Sequence, residues 1–214
     1  MRPGELATLE RRLSVERLAP YRAAQGGDLG AAVALYAWNG EVSAALGTTL
    51  GHLEVLVRNA MHDALTAWST TRYGEPRWYL DPGGLLSAPS ATDVAKARTR
   101  AARSGRLETP GGVVAELSFG FWRFLLARQY DRHLWVPCLH AVFPRQRRSD
   151  VHDALGMLQL ARNRMAHHEP MHDRPLAQLR ATAVEVAGWI CPTTRTWIDS
   201  RCRVTEILAT KPGP

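Results

Sequence analysis

Apolar positions recur at three- and four-residue spacing along most of the chain, which predicts helices almost throughout. Leu6, Leu9 and Leu13 mark a first short helix. Ser14 can cap a second, which carries Val15, Leu18 and Tyr21. Gly26-Gly27 ends it, and Asp28 can cap the next, with Leu29, Ala32, Val33, Leu35, Tyr36 and Trp38. Val42, Leu46, Leu50, Leu53, Leu56, Val57, Met61, Ala64, Leu65 and Trp68 then hold a period near 3.6 over about 30 residues. That is the pattern of a long central helix.

The pattern then breaks. Gly74, Pro76, Pro82, Gly83, Gly84 and Pro89 punctuate residues 71–89, which reads as loop. Ser90-Ala91-Thr92-Asp93 has the form of a capping box and predicts a short basic helix behind it. After Thr109-Pro110-Gly111-Gly112, an aromatic helix is expected from about Val113 to Tyr130. Further helices fit residues 132–142, 149–167 and 175–190, with Pro144, Pro170 and Pro192 between or after them. No strand pair and no internal repeat stands out, so the expected class is all-α. The chain reads as a single domain over residues 1–214. Residues 71–112 are expected to be a loop-rich basic insertion and 199–214 a tail.

Charge sharpens this picture. Of 27 basic residues, only Lys96 and Lys211 are lysine. Residues 1–93 carry 8 basic and 10 acidic side chains, whereas residues 94–214 carry 19 and 10. An arginine-rich basic half suits a polyanion, with nucleic acid ahead of an anionic membrane surface. No apolar run is long enough for a transmembrane helix, and the N-terminus lacks a signal-peptide core. Cys138, Cys191 and Cys202 lie far apart without a CxxC, which fits reduced thiols and a cytoplasmic location.

The densest chemical signal is Ala161-Arg162-Asn163-Arg164-Met165-Ala166-His167-His168-Glu169-Pro170. Pro170 disfavours helical geometry at Glu169, so the helix should end at His167 or His168. An imidazolium there is favoured by the helix dipole. Asn163 and His167 are four apart and share a face. His168-Glu169-Pro170-Met171-His172 matches the HExxH string of zinc proteases, but the proline prevents both histidines from sharing one helical turn. A zinc hydrolase is therefore disfavoured, and no cofactor is expected. An arginine and a histidine at a helix end suit metal-free phosphodiester cleavage. Histidine can exchange the protons, and arginine can hold the phosphate. The bland reading is an arginine paired with a carboxylate and histidines that cap a helix.

Glu54, Arg58 and His62 recur at four-residue spacing on one face of the long helix, with Asn59 beside them. They read either as a Glu54–Arg58 ion pair or as a polar cluster supporting Arg162. Lys96, Arg98, Arg100, Arg103 and Arg106, with Arg145, Arg147 and Arg148, are candidate contacts for an RNA backbone. Phe119, Phe121, Trp122 and Phe124 read as core or dimer contact ahead of base stacking, and Gly120 among them suggests close helix packing.

Arg162-Asn163-x-x-x-His167 matches the R-x4–6-H signature of HEPN-type ribonucleases. With Ser14-Val15-Glu16-Arg17-Leu18, Leu35-Tyr36-Ala37-Trp38-Asn39, Leu53–Ala60, Leu117-Ser118-Phe119-Gly120-Phe121-Trp122 and Val142-Phe143-Pro144, the chain resembles the Abi-like family of bacterial abortive-infection proteins. These segments run from about residue 14 to 198. The resemblance implies an antiparallel helical bundle and a homodimer whose Arg/His sets meet at the two-fold axis. It also implies metal-independent RNA cleavage in phage defence, or a toxin held by a protein or RNA antitoxin. Carried over, Arg162 binds the phosphate, Asn163 orients the site and His167 is the acid/base, with His168 the competing assignment. The alternative is a non-catalytic RNA-binding or adaptor protein of the same fold.

Overall fold

In a computed structural model, which describes residues 1–213, the chain is all-α, and no strand occurs among the described residues. Asp28 caps the helix that organises the rest: its side chain accepts from the Ala31 amide, the α-helix runs Leu29–Tyr73, and Gly74 closes it in the left-handed region. This helix, α3, joins the two segments that the sequence pattern separates. Nothing between Trp38 and Val42 interrupts helical geometry, and Trp38, Asn39 and Val42 are all buried. At 1.5 Å per residue its 45 residues span about 67 Å. Leu35, Val42, Leu46, Leu53, Val57, Met61 and Leu65 form one buried stripe along it.

The other helices cover that stripe. Helices α1 (Pro3–Leu13) and α2 (Val15–Ala24) lie against its first turns, and Ser14 caps α2 by accepting from the Arg17 amide. Helices α4 (Ala88–Ala101), α5 (Pro110–Ala115) and α6 (Phe119–Phe124) follow, then α7 (Arg148–Ala166) and α8 (Leu176–Ile190). Both α7 and α8 pack on α3 and on each other. Close approach of α6 to α7 rests on two glycines. A Cβ at Gly120 would meet Gln159, and one at Gly156 would meet Arg123.

Several expectations are corrected. Residues 199–214 are not a tail as far as they are described. Helix α9 (Pro192–Arg201) continues to Arg201, and α10 (Val204–Leu208) buries Val204 and Ile207, with Trp38 Nε1 donating to the Ile207 carbonyl at 2.9 Å. The short basic helix expected within 71–112 is present as the 14-residue α4, but the segment is no mere insertion, since its Trp78 is buried against Phe121 and Trp122. The cap of α4 is Ser87, not Ser90, because Pro89 fits the first turn where no amide donor is needed. The stretch 113–130 is broken: Ser118 adopts an extended conformation and caps α6 by accepting from the Phe121 amide at 3.2 Å. Residues 132–142 form a wide turn, Asp131–Trp135, and a tight one, Leu139–Ala141, because Pro137 between them donates no backbone bond.

Candidate Arg/His site at the end of α7

Local chemistry ends α7 where the motif begins. His167 is the last cap residue, and His168 takes a left-handed conformation, φ 54°. The His168 amide donates to the Met165 carbonyl at 3.0 Å and the Glu169 amide to the Arg164 carbonyl at 2.9 Å. This pair of bonds is a Schellman motif, in which histidine occupies the position that glycine usually takes. Arg17 from α2 donates to the His168 carbonyl. The HExxH string therefore spans a turn. His168 lies outside the helix, and the His172 ring packs on Tyr21 with centroids 4.9 Å apart.

The two arginines of the motif have different tasks. Arg164 holds the turn, with Nη1 3.2 Å from Glu169 Oε2 and Nη2 donating to the Pro170 carbonyl at 3.1 Å. Arg162 makes no bond to the turn, and its side chain is 48% exposed. Its one carboxylate neighbour among the described residues is Glu54 on α3, at 4.0 Å. A pair at that distance, with Arg162 exposed and Glu54 half-buried, is worth little and leaves most of the guanidinium free. Asn163 is half-buried and His167 exposed, one turn further on. Leu160, 69% exposed, lies three residues before Asn163 and seven before His167, on the same face.

The supporting cluster is rearranged. Glu54 faces Arg162 rather than Arg58, so the Glu54–Arg58 pair is not formed. Arg58 instead donates to Asn59 Oδ1 at 3.2 Å. His62 leaves the cluster altogether. Its Nδ1 accepts from Trp78 Nε1 at 2.9 Å, and burial lowers its pKa. The reason is Trp78, whose buried indole needs an acceptor.

The proposed backbone contacts also divide. Arg148 is a strut: at 17% exposure it binds Asp131 Oδ1 at 2.9 Å and the Leu126 carbonyl at 2.6 Å. Arg100 holds the Glu116 carboxylate and carbonyl, Arg98 pairs with Glu108, and Arg147 pairs with Asp150. Arg106 donates to the Arg103 carbonyl. Among the described residues, Lys96, Arg103, Arg106 and Arg145 have no ion-pair partner, and all four are exposed. Arg145–Arg148 stands at the start of α7, about 28 Å along the axis from His167. The fold thus separates this basic patch from the motif by the length of a helix.

Sequence reasoning missed the opposite wall of the motif. Tyr36, Asn39 and Ser43 on α3 face Met165, His168 and Glu169 across a cleft of about 390 Å³. Asn39 is buried, and its Oδ1 accepts from the Met171 amide at 2.7 Å. The available signal was an asparagine in an otherwise apolar stripe, at a position the periodicity assigns to the core.

Among the described residues no group of three or more His, Cys, Asp or Glu side chains gathers as metal ligands would, and no helix is long and apolar enough to cross a membrane. Comparison of the chain with protein-family models, curated proteins and solved structures finds no match.

Proposed function

We propose that this protein is a metal-independent endoribonuclease that works as a homodimer, with an abortive-infection or toxin role in phage defence. The observation that carries the reading is the division of labour between Arg162 and Arg164. One arginine holds the turn, and the other, five residues before His167 on α7, is left largely open. The resemblance to Abi-like proteins supports the biological role.

The chemistry follows from the groups present. The ribose 2′-hydroxyl attacks the adjacent phosphorus, and the P–O5′ bond breaks. The products are a 2′,3′-cyclic phosphate and a 5′-hydroxyl. One group takes the 2′-hydroxyl proton and another gives a proton to the 5′-oxygen, for which imidazoles suit neutral pH. Arg162 binds the phosphate through its planar fork and stabilises charge in the transition state. Acid and base act on opposite sides of phosphorus, whereas one chain presents its histidines at a single helix end. Two copies meeting there supply both sides. Leu160, 69% exposed on the face of Asn163 and His167, would be covered by such a contact. His167 is assigned as the acid/base because it shares a face with Asn163. His168 is held by backbone bonds at the turn.

The test is cleavage of RNA in EDTA by wild type, Arg162→Ala and His167→Ala, with the termini of the products identified. Sedimentation of wild type against Leu160→Glu tests the dimer.

A further inference from the structure

We propose that the cleft between α3 and the turn after α7 is a guanine-binding subsite that selects the base beside the scissile phosphate. The proposal deepens the ribonuclease reading and rests on it.

The cleft has the volume of a small-molecule site. It adjoins the motif, because Met165, His168 and Glu169 form one wall. Tyr36 lines the other. Its ring is held edge-on by Tyr21 at 5.2 Å, and unpaired bases stack on such rings.

The polar groups are specific. Asn39 is only 7% exposed, and its Oδ1 is committed to the Met171 amide. Its Nδ2 has no hydrogen-bond partner among the described residues, although the side chain lines the cleft. The atom is not sealed off, so it stands in the cleft as a free donor for a ligand. Ser43 Oγ, also in the wall, is covered and unpaired. Across from them, Arg164 steadies the Glu169 carboxylate, which keeps spare acceptor sites. The cleft therefore offers one donor on its α3 side and a carboxylate acceptor on the side of the turn. Guanine's Watson–Crick edge offers one acceptor, O6, followed by two donors, N1–H and the N2 amino group. Adenine turns one amino donor and then one acceptor to such a cleft, and cytosine one amino donor and then two acceptors. Uracil has one donor between two acceptors. Mismatched acceptors facing a carboxylate are rejected.

The experiment is calorimetric titration with GMP, AMP, CMP and UMP of wild type, Asn39→Asp, Glu169→Gln and Arg162→Ala. Asn39→Asp keeps the acceptor for Met171 and removes the donor. The expected result is at least about tenfold tighter binding of GMP than of the other three. Asn39→Asp and Glu169→Gln each abolish that preference, while Arg162→Ala keeps it. Equal binding of all four nucleotides, or a preference intact in Glu169→Gln, overturns the subsite; Glu169→Gln decides even if Asn39→Asp fails to fold. A trinucleotide with a central guanine is expected to bind more tightly than GMP, and weaker binding overturns the assignment to an RNA substrate. Titration is independent of turnover. A chain that binds GMP as described but cuts no RNA keeps the subsite and refutes the nuclease. Arg162-dependent cleavage without GMP preference does the reverse.

Discussion

Glu54 Oε2 on α3 lies 4.0 Å from Arg162 Nε on α7, the one carboxylate that faces this guanidinium among the described residues. The distance orients the arginine without consuming its donors. Glu54→Gln should therefore lower RNA cleavage by a modest factor, about tenfold or less. Arg162→Ala should lower it by at least about a hundredfold, the scale of a lost transition-state donor. Both variants should stay within about 1 kcal/mol of wild-type stability, because the pair is long and half-exposed. Equal losses of activity in the two would show that Glu54 acts in the chemistry itself.

The neighbouring arginine should behave in the opposite way. Arg164 satisfies the Pro170 carbonyl and Glu169 in the turn after α7. Arg164→Ala should destabilise the fold by about 1.5–3 kcal/mol, the scale for hydrogen bonds from a charged donor. Urea denaturation of Arg162→Ala and Arg164→Ala side by side reads the contrast. Equal stability in the two would contradict the assigned roles.

Acid should weaken the fold through half-buried imidazoles. Burial lowers the pKa of His62 and of His172 below the usual 6.5. Both are then neutral in the fold at a pH where the unfolded chain already binds protons. Their contribution is complete above pH 6.5 and is lost as the pH falls through the lowered folded values. The thermal midpoint should drop between pH 7 and 5. His62→Asn keeps an oxygen acceptor for the Trp78 indole and removes the titration, so its drop should be shallower. A slope identical to wild type would contradict the role given to His62.

The basic residues should sort by their partners. Lys96→Ala and Arg145→Ala should weaken RNA binding at all sequences and lower the salt slope by about one each, with an unchanged thermal midpoint. Arg148→Ala should lower the midpoint instead, because its guanidinium joins Asp131 to the Leu126 carbonyl. Binding titrations between 50 and 200 mM salt, with melting curves, separate the two outcomes.

Legibility in the sequence followed the range of each signal. Caps at Ser14 and Asp28 were readable because a hydroxyl or carboxylate beside an apolar period acts within one turn. Pro170 likewise located the end of α7. The 113–142 region was misread because aromatic spacing resembles a helix even where Ser118 and Pro137 divide the backbone. Val204 and Ile207 looked like tail residues because their burial depends on Trp38, well over a hundred residues away. Within the site, Arg162, Asn163 and His167 were visible as a string. That Arg164 holds the turn, that Glu54 faces Arg162 and that Asn39 lines a cleft are all contacts between distant segments.

The most direct test of the central claim is cleavage of a mixed RNA pool in EDTA by purified wild type, Arg162→Ala and His167→Ala, with end analysis of the fragments. The expected result is cleavage by wild type to cyclic phosphate and 5′-hydroxyl ends, lost in both variants while both remain folded. Cleavage that disappears in EDTA, or that both variants retain at the wild-type rate, would contradict the metal-free Arg/His site.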